Sequence, residues 1–240
     1  MTSLNYNLLA TLPVLGDLGT LPSLSVQEYL QIISENRRVT RHFCIIALGD
    51  DLRRRSEILL MNSEAIKDLL VLDPTTIQNT DCILPFFSQS IQKRFAADLD
   101  DYKIFELFFK MAAAQGEEDK GDFLTAWVAF EIALRNVLAD LRAEKLKVAA
   151  PHHLLPELSD EGSFDRNEIA TEFLAAENPL KVDAVLTRVR WEWLSEHDNW
   201  FLFTDDEVLA YGVKLLELHR QYRLLHGTPV ASNVFFTPVQ

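Results

Sequence analysis

Hydrophobic residues recur at alternating steps of three and four along most of this chain, which is the spacing of one α-helical face. The clearest case runs from Asp122 to Lys147. Its first apolar stripe consists of Phe123, Trp127, Phe130, Leu134, Val137 and Leu141. A second stripe includes Leu124, Val128 and Leu138, and small residues form a third. Because a helix that is apolar around most of its circumference needs neighbours on several sides, we expect this segment to be the central helix of a bundle. Its predicted core residues are Phe123, Trp127, Phe130, Leu134 and Leu138.

Two charged residues interrupt the apolar surface of the predicted central helix. Glu131 and Arg135 are four positions apart with the acid nearer the N-terminus, the favourable orientation for a helical ion pair. A buried charge without a partner is strongly destabilising. We therefore predict that Glu131 and Arg135 form a structural ion pair and not a catalytic one.

Two capping boxes mark further helix starts. Ser25 with Glu28 predicts a helix from Val26, and Thr204 with Glu207 predicts a helix to about Leu225. The helical period also predicts helices over residues 40–60, 63–72, 86–95, 102–114, 167–176 and 181–197. Gly49 is expected to weaken the first of these near its middle. The opening segment, residues 6–13, fits either a strand or a helical turn. The fold class is therefore predicted as all-α, a multi-helix bundle.

The plainest candidate for a linker is residues 115–121, which contain two glycines and four charged residues. We interpret it as a linker between an N-terminal helical lobe, residues 1–114, and a C-terminal helical lobe, residues 122–240. One continuous domain remains the alternative. The apolar pair Phe235 and Phe236 near the C-terminus predicts that the tail docks on the body of the protein or on a partner.

Composition narrows the classes of function. The net charge of −13 argues against a general nucleic-acid binder, which needs a basic face to neutralise phosphates. The two cysteines, Cys44 and Cys82, are too few for a disulfide framework, which favours a reducing cytoplasm. The first basic residue is Arg37, so no secretory signal is expected, and no apolar run reaches the length of a membrane span. We expect a cytoplasmic protein that reaches a membrane only through partners.

Motifs of cofactor or metal chemistry are not found in the sequence. No phosphate-binding glycine loop, dinucleotide fingerprint or calcium loop occurs. His152 and His153 are adjacent and diverge, so they do not make a metal site. The adjacent arginines at 53–55 project about 100° apart on a helix and do not form one anion-binding patch. Sequence therefore predicts no catalytic residue, no cofactor and no metal, although Trp191, Trp193 and Trp200 leave an aromatic pocket open as an alternative to core packing.

The order of residues in the central helix resembles that of a known family. The pattern is Phe-Leu-x-x-Trp-x-x-Phe-Glu-x-x-Leu-Arg-Asn-x-Leu-x-x-Leu-Arg-Ala-x-Lys-Leu, from Phe123 to Leu146. The opening segment 6–13, the Asp51-Leu52-Arg53 segment and the segment 203–211 match as well. Together they resemble an uncharacterised family encoded among the genes of bacterial V-type ATPases. That family is itself similar to the C-type subunit of V/A-type ATPases, known as the d-type subunit in eukaryotes.

The resemblance implies an all-helical protein that caps the membrane ring of a rotary ATPase and receives its central stalk. The C-type subunit proper is a longer funnel of three lobes, and this chain is too short for three. The partners implied are the stalk subunits and the ring of the V-type ATPase, with ion transport as the process served. Two other functions stay open, a free-standing helical adaptor and a metabolic enzyme with an aromatic pocket. A pocket with converging titratable groups would favour the enzyme.

Overall fold

The computed structural model describes residues 3–61, 70–71, 101–149, 152–160, 162–198 and 202–226. Within these ranges the chain forms eight α-helices and no strand, so the predicted all-α class is confirmed. The helices are α1 (Ser3–Thr11), α2 (Val26–Ile33), α3 (Arg37–Met61), α4 (Asp101–Asp119), α5 (Asp122–Leu146), α6 (Arg166–Ala175), α7 (Pro179–Glu196) and α8 (Asp205–His226). A 3₁₀ turn, Pro156–Leu158, lies between α5 and α6.

The predicted capping box at Ser25 is present, whereas at the start of α8 only half of the predicted box forms, because Glu207 bonds to the backbone of Phe203 and not to that of Thr204. The Ser25 hydroxyl oxygen accepts a hydrogen bond from Glu28 N at 3.2 Å, and a Glu28 carboxylate oxygen accepts one from Ser25 N at 2.8 Å. At the start of α8, Glu207 N donates to the Thr204 hydroxyl at 3.3 Å. Phe203 N donates to the Glu207 carboxylate at 2.8 Å. These bonds satisfy backbone N–H groups that the first turn of a helix leaves without internal partners.

The segment 115–121 is not a linker, and in this respect the sequence interpretation was wrong. Helix α4 continues to Asp119, and α5 begins at Asp122 after a tight turn. The turn is closed by Gly121 N donating to Gly116 O at 2.8 Å, with Lys120 in the left-handed region at φ 50°. The charged residues that suggested a linker, including Glu117 and Glu118, occupy the exposed side of the last turn of α4. The polarity of this segment therefore reflects a helical face that is exposed to solvent, not a break between helices.

Gly49 does not interrupt its helix, since α3 runs unbroken from Arg37 to Met61. A Cβ atom at position 49 would lie 2.7 Å from the ring of Phe108 on α4. The absence of a side chain therefore lets α3 and α4 approach closely, and this packing offsets the weak helical propensity of glycine.

The chain divides into two compact units. The end unit joins Met1–Phe43 to Arg190–Gln240, and the middle unit is Cys44–Val189. This division differs from the two lobes drawn from the sequence on either side of 115–121. The reason is that α8 packs against α1 and α2, nearly 200 residues away in sequence. In the middle unit the main helix pair is α4 with α5.

Some sequence predictions lie outside the described residues. They concern the helices at 63–72 and 86–95, Cys82, Trp200 and the Phe235–Phe236 tail. Among the helices in the described ranges, none combines the length and the apolar character that a membrane span requires.

Candidate functional site

The five predicted core residues of α5 are buried in the middle unit. Phe123, Trp127, Phe130, Leu134 and Leu138 expose 3%, 5%, 0%, 0% and 6% of their surfaces. The rings of Trp127 and Phe130 lie 5.5 Å apart between centroids, and Phe164 meets Phe130 edge-on at 5.9 Å. The position of α5 in the packed interior follows from its having apolar residues on every side.

Glu131 is buried on α5 and faces a cation from another helix. It exposes 3% of its surface, and its carboxylate lies 3.8 Å from a guanidinium nitrogen of Arg53 on α3. Arg53 also lies 3.7 Å from Asp50, one turn earlier on its own helix. Arg53 therefore joins α3 to α5, a contact between distant segments that the sequence analysis did not predict.

Arg135 lies against aromatic rings of α4. Its guanidinium carbon is 4.0 Å from the ring centroid of Phe105 and 5.4 Å from that of Phe109. A guanidinium over a ring face is stabilised by the ring quadrupole, while its N–H donors point outward in the guanidinium plane. The Glu131–Arg135 ion pair stays a prediction, whereas the contacts of Glu131 with Arg53 and of Arg135 with Phe105 are observed.

A small cavity adjoins these charges. It has a volume of about 20 Å³ and is lined by both Glu131 and Arg135, by Arg53, and by Gly49 and Phe108. A space of this size is enough for about one water molecule and too small for an organic ligand. The cavity beside this charge cluster therefore has no room for an organic substrate.

Asp51 ties a distant backbone segment to α3. The side chain is fully buried, at 0% exposure, and its carboxylate oxygens accept hydrogen bonds from Leu70 N and Val71 N at 2.7 to 3.1 Å. Arg54, the next arginine after Arg53, lies 3.3 Å from Asp50. The charged side chains of residues 50, 51, 53 and 54 thus each have a structural contact.

In the end unit, Asp205 at the start of α8 is the centre of a polar clamp. Its carboxylate accepts hydrogen bonds from Asn5 at 2.7 Å, from Asn36 at 2.9 Å and from Arg38 Nε at 2.8 Å. A second Arg38 nitrogen also bonds to it. Burial raises the pKa of Asp205, but the hydrogen bonds and the positive charge of Arg38 outweigh burial and hold that pKa below its ordinary value. The clamp fastens α1, α3 and α8 together.

Aromatic contacts strengthen the same junction. The rings of Tyr6 on α1 and Phe203 before α8 meet edge-on with centroids 5.0 Å apart. The Tyr211 hydroxyl donates to Pro13 O at 2.7 Å, and burial raises the pKa of Tyr211 to about 12. The segments 6–13 and 203–211, far apart in sequence, are therefore neighbours in the end unit.

Beside this junction lies a cavity of about 220 Å³ in the end unit. Its apolar wall consists of Leu9, Leu12, Pro13, Val14, Leu15 and Trp191. Its polar wall consists of Asp198, Glu207, Tyr211 and Lys214. Lys214 Nζ donates to an Asp198 carboxylate oxygen at 2.6 Å, and the two side chains are only 11% and 5% exposed. We call this space the end-unit cavity.

The histidines do not assemble a metal site within the described ranges. No group of three or more metal-ligating side chains occurs there. His153 Nε2 lies 2.8 Å from Asp140, which also accepts a hydrogen bond from Arg166 at 2.9 Å. The hydrogen bond with His153, helped by Arg166, lowers the pKa of Asp140. His219 Nε2 lies 2.9 Å from the Leu24 carbonyl oxygen.

Sequence reasoning missed the polar clamp and the buried Lys214–Asp198 pair. The sequence pattern indicates Asp205 only as part of a capping box, and it does not single out Lys214. The available signal was a lysine within the apolar run Val213-Lys214-Leu215-Leu216, since a charge there needs a partner. The partner, Asp198, is 16 positions away and belongs to no periodic pattern.

Comparisons of the chain with protein-family models, with curated proteins and with solved structures each gave no match.

Proposed function

We propose that the protein is a non-catalytic coupling subunit of a V-type ATPase rotor, similar to the C-type subunit, joining the central stalk to the membrane ring during ion transport. It would then work in the cytoplasm at the membrane surface, held there by its partners. The proposal rests on the resemblance of four sequence segments to the family encoded with V-type ATPase genes. An all-helical chain is compatible with it.

One observation supports the proposal more than any other: the four segments that carry the resemblance meet in pairs. In the end unit, Tyr6 of the opening segment and its neighbour Asn5 contact Phe203 and Asp205 of the late segment. In the middle unit, Arg53 of the Asp-Leu-Arg segment contacts Glu131 of the central helix. Segments that share contacts are expected to keep a common pattern because a change on one side disturbs the other.

The chemistry of these contacts suits a mechanical role. A coupler between a stalk and a ring transmits force and needs stiff, closely packed elements, not a reactive group. Charge-assisted hydrogen bonds at Asp205 and aromatic packing around Trp127 both oppose relative movement of helices within a unit. The packing of the motif residues therefore supports a structural role for them in a coupling subunit.

The test is reconstitution with the V-type ATPase stalk subunits and membrane ring of the same source. Stoichiometric binding, with ATP-driven ion pumping lost when the chain is omitted and regained when it is added, is the expected result. If no complex forms from low to high salt, and deletion of the gene leaves pumping intact, the rotor assignment is wrong.

Two matched variants sharpen this experiment. Asp205→Asn weakens the polar clamp, whereas Asp17→Asn removes one exposed carboxylate outside it. We expect Asp205→Asn to lower the rate of ion pumping more than the rate of ATP hydrolysis, because a less rigid coupling subunit transmits rotation less completely. Asp17→Asn should change neither rate. The net charge of −13 also predicts that assembly with a basic partner surface slows as salt rises.

The end-unit cavity favours a second candidate, a small-molecule site with an aromatic wall. Titratable groups do converge there, as the enzyme alternative requires. However, Lys214 and Asp198 are paired with each other, and Tyr211 is bonded to a backbone carbonyl. Groups committed in this way suit binding better than bond-breaking chemistry. A free-standing adaptor has no specific observation in its favour.

A further inference from the structure

We propose that the end-unit cavity binds a neutral small molecule of one or two rings, whose carbonyl or hydroxyl oxygen accepts a hydrogen bond from Lys214. The inference goes beyond the rotor proposal and does not depend on it, because the described residues that line the cavity all belong to the end unit. The two proposals can therefore fail separately.

The size of the cavity sets the size of the ligand. An engineered apolar cavity of roughly 150 Å³ is known to bind benzene. The end-unit cavity has a volume of about 220 Å³, which leaves room for a second ring or a short polar substituent. It is too small for a nucleotide or a peptide.

The residues of the cavity walls determine the shape and polarity of the ring system that the cavity can hold. Leucine side chains come from the end of α1 and the loop after it, and Trp191 comes from α7. Aliphatic groups on one side and an indole on the other favour a flat apolar body, since aromatic rings gain from offset stacking as well as from burial. Val14 in the loop wall is 89% exposed, so this loop borders solvent and offers a route of entry.

Lys214 supplies the polar contact. An ammonium group carries three N–H donors. Within the described part of the chain, Nζ donates to Asp198 at 2.6 Å and lies 5.7 Å from the Trp191 ring centroid. Because Lys214 also lines the cavity, a ligand oxygen placed beside Trp191 can accept from a remaining donor. Tyr211 is less available, since its hydroxyl hydrogen is given to Pro13 O.

The charge balance selects a neutral ligand. Lys214 is compensated by Asp198, and Glu207 is held by the backbone N–H of Phe203 at the positive end of α8. An incoming anion would compete with Asp198 for Lys214, and an incoming cation would face the ammonium. Either ion would lose its hydration and bring an uncompensated charge into a cavity where the charge of Lys214 is already balanced by Asp198.

Three probes that share the naphthalene ring system test the predicted size, polar contact and charge of the ligand on the full chain. Naphthalene has no acceptor, 2-naphthamide has a neutral carbonyl acceptor, and 2-naphthoate has a charged one. Ligand-observed NMR titration is expected to give the tightest binding for 2-naphthamide, at least about tenfold tighter than naphthalene, as one hydrogen bond to a charged donor implies. It is expected to give the weakest binding for 2-naphthoate. Equal binding of naphthalene and 2-naphthamide, or preference for 2-naphthoate, would overturn the assignment.

Lysine variants test the donor. Lys214→Met should abolish the advantage of 2-naphthamide over naphthalene, while Lys181→Met, at an exposed lysine of the middle unit, should preserve it. Because Lys214→Met leaves Asp198 buried without its cation, the double variant Lys214→Met with Asp198→Asn provides a neutral and foldable version. If 2-naphthamide keeps its advantage in either folded variant, Lys214 is not the donor.

Blocking variants test the location. Leu15→Trp and Val14→Trp each enlarge a side chain of the cavity wall, the first at a half-buried position and the second at a position on the exposed loop. Circular dichroism spectra of both variants should first be compared with that of the unaltered chain to check that they fold. Both should abolish binding of naphthalene and 2-naphthamide. If the probes bind both folded variants as they bind the unaltered chain, or fail to bind the unaltered chain at millimolar concentration, the proposal is wrong.

Discussion

The Tyr29 hydroxyl donates a hydrogen bond to the carbonyl oxygen of Val208 across 2.6 Å, inside the core of the end unit. Tyr29 is fully buried at 0% exposure, and its ring stacks on that of Tyr211 with the two centroids 5.8 Å apart. A Cβ atom on Gly212 would lie 2.6 Å from this ring. Glycine at 212 therefore permits the close approach of α2 to α8 that the hydrogen bond requires.

Gly212→Ala is expected to destabilise the protein although alanine is the better helix former. The added methyl group collides with the Tyr29 ring, and overpacking of this kind costs about 1–3 kcal/mol. Urea denaturation followed by circular dichroism measures the change. Gly162→Ala is the control, because among the described residues its Cβ would meet Asp160 at an ordinary 3.4 Å. Equal stability of the two variants would contradict the packing argument.

The stacked tyrosines predict a loss of stability at alkaline pH. Burial, helped by the neighbouring Tyr211, raises the pKa of Tyr29 well above 10, and burial raises that of Tyr211 to about 12. An unfolded tyrosine ionises near pH 10, so the folded state holds protons that the unfolded state has released. The stabilisation is complete below pH 10 and falls as pH rises above it; the contribution of Tyr211 is lost as pH passes through about 12.

The measurement is the midpoint of urea unfolding across this pH range. Replacing both residues, Tyr29→Phe with Tyr211→Phe, should flatten the dependence, because phenylalanine does not titrate. A pH dependence that persists unchanged in the double variant would assign it to other groups.

The polar clamp predicts an acid-dependent contribution of Asp205. Its hydrogen bonds lower its pKa, so its stabilisation is present above the unfolded value near 4 and is lost as pH falls through the folded value. Asp205→Asn should cost about 1–2 kcal/mol at pH 7, a range discounted for the half-exposed Arg38. The difference from the unaltered chain should shrink toward pH 2. Asp17→Asn, tested alongside, should show no difference at either pH.

Glu131 allows two pairings to be compared by double-mutant cycles. We expect a coupling free energy of roughly 0.5–3 kcal/mol between Glu131→Gln and Arg53→Met, because the two charges face each other in a buried setting. The cycle of Glu131→Gln with Arg135→Met measures the predicted pair within α5. Near-zero coupling in the first cycle would show that the contact at 3.8 Å does not stabilise the fold.

Trp127→Ala is expected to cost about 3–5 kcal/mol, the usual range for a core aromatic side chain. Trp127 is 5% exposed and contacts Phe130. Leu146→Ala on the same helix is the control, since Leu146 is 72% exposed and its truncation should change stability by under about 0.5 kcal/mol. A Trp127→Ala variant as stable as the control would place α5 outside the core.

The positions of helices could be predicted from the sequence because they depend on residues that are close together in the chain. The capping box of Ser25 with Glu28 lies within one turn, and the helix from Asp205 ends within a residue of the expected position. The apolar stripes of α5 predicted that it is buried, because a helix with apolar residues on several faces is stable only when neighbours cover those faces. Sequence alone therefore determined the all-α class, most of the helices in the described ranges and the buried residues of the central helix.

Tertiary structure decided which helices meet and which polar groups they bring together. The contacts of Asp205 with Asn5, of Tyr29 with Val208 and of Arg53 with Glu131 join residues that are 78 to 200 positions apart. No local period encodes such a pairing, because it depends on how whole helices pack and on where a glycine allows them to approach. The same holds for the end-unit cavity, whose walls come from α1, the loop after it, α7 and α8 and acquire a shared chemistry only when the chain is folded.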